Sequence, residues 1–312
     1  MRAVRPRGKG VEVVELPAPS DDGVRVRVRS AGICGSDLHM LAGGFLRDVV
    51  LGHEVAGVTD DGTPVAIEPL SPCGGCVACV RGDYNLCERG PRMIHGVGCD
   101  GGMADEMRVP TRALVRLPAG IALGDACLVE PLAVVLHGLR RARLRGGERV
   151  AVVGGGAIGL CVVAAARAGG AEVALEARHD AQRAAGERLG AEAKPSGAYD
   201  LVVDAAGTES SLARAAELAR PGGRIALVGS YWTPVAFPGF ALSMKEVDVL
   251  PASMYGRAGA LRDIDAAAAL LAATPELPRA VISHRFPLDA AAEAFAAAAD
   301  RQSGAIKVVL EP

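Results

Sequence analysis

Hydrophobic and polar residues alternate strictly in "VRVRVRSAG" (24–32), and shorter apolar runs follow in "LGHEVAGV" (51–58) and "TPVAIEP" (63–69), all punctuated by glycine and proline. Period-two alternation and brief bounded runs predict strands, so residues 1 to about 120 are expected to form a mostly β region. From about residue 122 the pattern changes. "ACLVEPLAVVLHGLRRARL" reads as a helix, and "RVAVVGGGAIGLCVVAAARAGGAEVALEAR" as strand, turn, helix and strand. "YDLVVDAAG", "GRIALVG" and "EVDVLPASM" read as later strands, separated by alanine-rich helices such as "SSLARAAELARPGG". Such alternation predicts an α/β architecture, a parallel sheet with helices on both faces. The tail from His284 reads as one helix and one strand returning to the first domain.

Composition narrows the class. A chain of 312 residues, 50% hydrophobic, is long enough for two domains with their own cores, so disulfide staples are not needed for stability. The net charge is −2 and the arginines are dispersed among acids, which excludes a basic nucleic-acid-binding face. No run approaches the ~18 uninterrupted apolar residues of a membrane span. The basic start "MRAVRPRGKG" is followed by acids and prolines instead of an apolar leader segment. A soluble, cytoplasmic protein is expected.

In a reducing compartment the spacing C-x2-C-x2-C-x7-C, formed by Cys73, Cys76, Cys79 and Cys87, points to thiolates around one metal ion. Four sulfurs at about 2.3 Å complete a tetrahedral zinc with no open position, which makes the site structural. An iron–sulfur cluster also takes four thiolates, but the further cysteine and proline of the ferredoxin pattern are missing.

The apolar strand of "VAVVGGGAIG" runs into Gly154-x-Gly156-x-x-Gly159 and opens a helix. In that context the glycines let the backbone approach a pyrophosphate at the helix N-terminus, so Gly154, Gly156, Ala157, Ile158 and Gly159 are expected to bind a dinucleotide.

Taken singly, Cys34, Ser36, Asp37, His39, His53, Glu54 and Glu130 each have a structural explanation. As an ordered set, "GICGSDLH", "GHE", "CGGCVAC...C", "EPLAV" and the glycine loop resemble the zinc-dependent medium-chain alcohol and polyol dehydrogenases over essentially the whole chain. Within that family the sequence looks most like the sorbitol, butanediol and threonine dehydrogenase branch. The resemblance implies a GroES-like β-rich catalytic domain at 1–121 and 274–312 and a Rossmann domain at 122–273, with the active site at their junction. It implies Cys34, His53 and Glu130 as ligands of a catalytic zinc, and Glu54 as a carboxylate able to approach that metal. Ser36 is implied as the hydroxyl that takes the substrate proton and His39 as the imidazole that passes it on, with Asp37 structural. An open zinc site lowers the pKa of a bound hydroxyl. The implied reaction is oxidation of a secondary alcohol, polyol or sugar-like hydroxyl to a ketone, with hydride passing to NADP or NAD, and two zinc ions per chain.

The chain departs from the family in two places. "VTDDGTP" (58–64) is a shorter connection than relatives carry. At the end of the second Rossmann strand, "AEVALEARHD", alignment puts Ala177 where NAD-using relatives hold an acid, with Arg178 next, while Glu176 lies about the ~20 residues past the glycine loop expected of a ribose-binding acid. A guanidinium can bind a 2′-phosphate that a carboxylate would repel. Ala177 and Arg178 therefore favour NADP over NAD. Two rival readings stand beside this one: oxidation of an amino acid such as L-threonine, and a redox sensor that binds zinc and dinucleotide without turnover. Phe45, Met93, His95 and Trp232 are candidate pocket walls, and "GSYWTPVAFP" with "VLPASMYG" points to a homodimer or homotetramer.

Overall fold

The computed structural model describes residues 1–20, 22–46 and 48–312. The chain divides into two compact units, one formed by 1–130, 256–275 and 282–312 and the other by 131–255 and 276–281.

The first unit is built on a seven-stranded sheet. Its strands run in the order Ile282–Pro287, Lys307–Glu311, Val24–Ile33, Glu54–Thr59, Pro64–Ile67 and Leu114–Arg116, and Glu106–Val109 also pairs with Val24–Ile33. The alternation legible in the sequence is realised in Val24–Ile33, where Val26 and Val28 are fully buried while Arg27 and Arg29 face solvent. After Val28 the register against Glu54–Thr59 shifts at a bulge, and residues 30–33 are buried on both faces. A bulge re-aims the side chains beyond it. Here it sets Gly32 opposite Glu54 and delivers Cys34 at the strand end.

The tail departs from expectation. Besides the strand Lys307–Glu311 it holds a second, Ile282–Pro287, paired parallel to it. The edge strand alternates half-buried and exposed positions, so "ISHRFP" lacks an apolar run to betray it. A helix that the strand reading passed over, Gly35–Ala42, follows Cys34 directly. The short connection at 58–64 is a tight turn in which the Asp61 carboxylate accepts from Thr59 Oγ1 and the Thr63 N–H.

The second unit has a six-stranded, all-parallel sheet in the order Glu192–Ala193, Glu172–Glu176, Arg149–Val153, Tyr199–Asp204, Ala219–Leu227 and Asp248–Pro251. The strand expected at "GRIALVG" begins earlier, at Ala219, because Tyr199 pairs with Ala219 across an irregularity that absorbs the Pro-Gly-Gly segment. The helix expected over 126–144 starts as a 3-10 turn at Ala126–Leu128 and continues as Val129–Arg141. Among the described residues, no helix is long and apolar enough to cross a membrane.

Candidate active site

Cys34 is the N-cap of the helix Gly35–Ala42, and the third helical residue, Asp37, turns its carboxylate back to accept the Cys34 N–H at 2.9 Å. The carboxylate has a second task. It is fully buried, and its other oxygen lies 3.4 Å from His53 Nδ1. Both of these atoms are buried and have no hydrogen-bond partner. His53 Nε2 points the other way, 3.5 Å from Ser36 Oγ.

The next residue, Glu54, is 1% exposed, and one of its oxygens joins Cys34 Sγ and a His53 ring nitrogen in a set of atoms all within 4.8 Å of one another. Burial, the largest influence on His53, disfavours the imidazolium, yet Asp37 and Cys34 outweigh it and raise its pKa well above 6.5. Surroundings that stabilise a proton on this ring also stabilise a cation bound to it. Sulfur, imidazole and carboxylate together are a donor set suited to zinc, and a metal on Nε2 would leave Nδ1–H to donate to Asp37. The residues present fit the metal.

Glu130 does not belong to that set of three. It is 9% exposed in the first turn of Val129–Arg141, just after the 3-10 turn Ala126–Leu128, which packs on the strands Val24–Ile33 and Glu54–Thr59. Ser36 is half-buried and His39 exposed, three positions apart on one helix face.

Sequence reasoning did not single out Lys307, although it is 3% exposed and its Nζ donates to both oxygens of Glu54, at 2.6 and 2.5 Å. Nothing local marks it, since a lysine opening a terminal strand reads as solvated. Two of the candidate pocket walls have defined surroundings. Met93 is fully buried in the core, and His95 is engaged on both ring nitrogens, by Ser71 Oγ and the Asp100 carbonyl.

The second cluster is Cys73, Cys76, Cys79 and Cys87, whose sulfurs also lie within 4.8 Å of one another as free thiols. Backbone N–H groups point at the sulfurs, Cys73 N at Cys87 Sγ and Cys76 N at Cys73 Sγ, both at 3.3 Å. The Cys79 N–H holds the Cys76 thiol down to about 6, whereas burial and the neighbouring sulfurs push Cys79 up to about 12. Part of the set ionises readily, and the last thiol waits for a cation to offset the negative charge. This set also fits zinc. The lobe is tied down by Tyr84, whose hydroxyl donates to Glu68 Oε1 at 2.6 Å and to the Gly256 carbonyl at 3.1 Å, while Arg262 donates to Glu68 Oε2 at 2.9 Å.

In the second unit the strand Arg149–Val153 ends at Gly154, with φ +110°, and Gly156 caps the helix Ala157–Ala168. The Cβ that Gly159 lacks would stand 1.8 Å from the Gly154 carbonyl oxygen, so only glycine lets this helix approach the strand end so closely. The Glu176 carboxylate, at the end of the neighbouring strand, accepts from Arg214 Nε at 2.8 Å. Ala177 packs against the glycine loop: a Cβ on Gly155 would meet the Ala177 Cβ at 2.5 Å. Arg178 is exposed beside them.

The alcohol dehydrogenase GroES-like domain model matches residues 20–119, and the zinc-binding dehydrogenase model matches 157–273. The chain is 32% identical to 2-dehydro-3-deoxy-L-galactonate 5-dehydrogenase of Pseudoalteromonas atlantica, covering 92% of each sequence. Among solved structures it resembles L-idonate 5-dehydrogenase from Escherichia coli with a TM-score of 0.90 and 28% identity, over 100% of this chain and 97% of that one. A Sinorhizobium meliloti protein solved with bound NADP aligns with a TM-score of 0.85 and 29% identity, over 100% and 99%. The GroES-like match lies within the first unit, and most of the zinc-binding dehydrogenase match lies in the second. With a donor set for zinc in the first and a dinucleotide turn in the second, the protein is an oxidoreductase of CH–OH groups that uses zinc and NADP or NAD, and the chain belongs to the zinc-dependent medium-chain alcohol and polyol dehydrogenases.

Proposed function

We propose that this enzyme oxidises a secondary hydroxyl of a polyol or sugar-derived chain to a ketone, with NADP preferred over NAD as hydride acceptor. The observation that carries the reading is the convergence of Cys34 Sγ and the His53 ring, with the Ser36 hydroxyl 3.5 Å from His53 Nε2. Cys34, His53 and Glu130 would hold the catalytic zinc, and Cys73, Cys76, Cys79 and Cys87 a structural one. When bound, the catalytic zinc supplies Lewis acidity that makes a substrate hydroxyl easier to deprotonate. Asp37 orients the His53 ring through its Nδ1 face. Ser36 takes the substrate proton, and His39, exposed and on the same helix face, passes it to solvent.

The substrate class is supported by the relatives named for sugar-acid 5-dehydrogenation. The nucleotide preference is supported by the pairing of Glu176 with Arg214, by the small Ala177 against the glycine loop and by the exposed Arg178. A homodimer or homotetramer is supported by the strand Asp248–Pro251 at the edge of the parallel sheet and by the neighbouring Phe237 and Phe240, 62% and 82% exposed. The protein is expected to act in the cytoplasm.

The test is reduced-nicotinamide absorbance with zinc-loaded enzyme, each nucleotide, and a panel of polyols, aldonates, simple secondary alcohols, cyclitols and threonine. Oxidation of a polyol or aldonate, faster at low NADP than at low NAD, is expected. Turnover confined to threonine, or nucleotide binding without any turnover, would overturn the reading.

A further inference from the structure

The buried pair Glu54 and Lys307 has no part in the steps above. Lys307 opens the strand Lys307–Glu311, and its ammonium has three donors for three acceptors: Glu54 Oε1 at 2.6 Å, Glu54 Oε2 at 2.5 Å and the Ile33 carbonyl at 3.0 Å. The carboxylate is seated deliberately. Its Oε2 lies 2.1 Å from where a Cβ of Gly32 would stand, and Gly32 is its cross-strand partner, so the sheet opens a slot for it at a residue without a side chain. Burial, the largest influence on Lys307, works against its charge, but Glu54 and Cys34 outweigh it and the ammonium is retained.

The same carboxylate lies within 4.8 Å of Cys34 Sγ and a His53 ring nitrogen. It therefore stands between two cationic positions, the ammonium on one side and the metal position on the other. A buried carboxylate deprived of its partner is strongly destabilised and turns to the nearest positive charge. With Lys307 in place each oxygen already accepts a charge-assisted hydrogen bond that a move toward the metal position would break.

We propose that Lys307 is a positioning residue that holds the Glu54 carboxylate back from the ligand set of Cys34 and His53, keeping a place in that set for the substrate. The inference rests on the reading of Cys34 and His53 as ligands of the catalytic metal. A mere staple between strands would use the same contacts but leave the metal's coordination untouched when cut.

Cobalt-substituted holoenzyme separates the two, because the visible d–d bands of cobalt report its coordination and the four-cysteine site contributes equally to every variant. Lys307→Met is expected to change the d–d bands and to lower kcat/KM roughly 10–100-fold, the cost usual for groups that orient metal ligands. Lys307→Arg should keep the wild-type spectrum. Glu54→Gln combined with Lys307→Met should return the spectrum to that of wild type, because an amide is a poor ligand. If Lys307→Met does not fold, Lys307→Gln, which can donate to one carboxylate oxygen, takes its place in the comparison. A Lys307→Met spectrum, or its Lys307→Gln substitute, superposable on wild type, whatever its activity or stability, overturns the proposal. A wild-type spectrum insensitive to Cys34→Ala overturns instead the metal reading beneath it.

Discussion

Gly159→Ala should uncouple nucleotide binding from stability. The new Cβ lands 1.8 Å from the Gly154 carbonyl oxygen and 3.0 Å from its carbon. Both contacts are backbone, so relief cannot come from a side-chain rotation. The carbonyl must retreat to at least 3.0 Å, which displaces the glycine turn expected to face the pyrophosphate. Misplacing a binding group by about 1 Å costs on the order of 100-fold, so the dissociation constant for NADP should rise about 10- to 100-fold, or about 1.4–2.7 kcal/mol. Stability should move less. Overpacking costs about 1–3 kcal/mol, and alanine returns up to about 1 kcal/mol of helix propensity. Fluorescence titration of the reduced nucleotide and a thermal melt measure the two quantities on one sample. Ala168→Gly, exposed at the far end of the same helix, is the control: it should cost about 0.5–1 kcal/mol of stability and leave the dissociation constant unchanged. A Gly159→Ala protein that binds NADP within twofold of wild type would refute the close-approach argument.

Three further outcomes follow from the first unit. Cys79→Ser should reduce zinc from two ions to one per chain by elemental analysis and lower the melting temperature, while the protein that stays folded turns over normally; an unchanged zinc content would refute the closed four-thiolate site. Tyr84→Phe removes the donor to buried Glu68 Oε1 and should cost about 1.5–3 kcal/mol in urea denaturation; a loss under about 0.5 kcal/mol would mean that the tie between lobe and strand is idle. Burial alone would raise the pKa of Asp105, but its bonds to the Arg2 side chain and backbone N–H outweigh this and lower it. A carboxyl lowered on folding contributes stability above its unfolded pKa of about 3.9 and loses it as pH falls through the folded value. Asp105→Asn should therefore be less stable than wild type at neutral pH, and the gap should close on acidification below that range; a pH-independent gap would point to packing instead.

What was legible in the sequence was what chemistry places close together along the chain. Four cysteines in fifteen residues, four glycines in six, and Cys34, Ser36 and His39 within six residues are set by local spacing, and their grouping needs no long-range pairing to be read. The strand Val24–Ile33 declared itself because one face meets the core and the other meets water. Lys307 could not be read this way. Its charge suggests exposure, and it is buried only because its strand pairs with Val24–Ile33, far away in sequence. The same holds for Arg214, whose grip on Glu176 joins two elements that sequence reading treats separately. "ISHRFP" stayed hidden because an edge strand half-exposed at every second residue carries no hydrophobic run. Local motifs pointed to the proposed ligands; Lys307 and Arg214, which hold buried or paired carboxylates, come from tertiary pairing.

The contact between Lys307 and the Ile33 carbonyl spans 274 residues. Forming such a contact from an unfolded chain is slow, because the whole loop must be closed before any bond is gained. The second unit shortens that search. Its segment 131–255 is contiguous, and once folded its first helix and last strand are joined by the bond from Arg141 Nε to the Pro251 carbonyl at 2.9 Å. That bond spans 110 residues within the second unit, so much of the chain between Ile33 and Lys307 is already compact once this unit has folded. During synthesis the second unit is complete before the strand that carries Lys307 is made. Its folding speed therefore governs how soon the metal-binding half can assemble, and a defect deep in the parallel sheet would surface as slow maturation of a site to which it contributes no ligand.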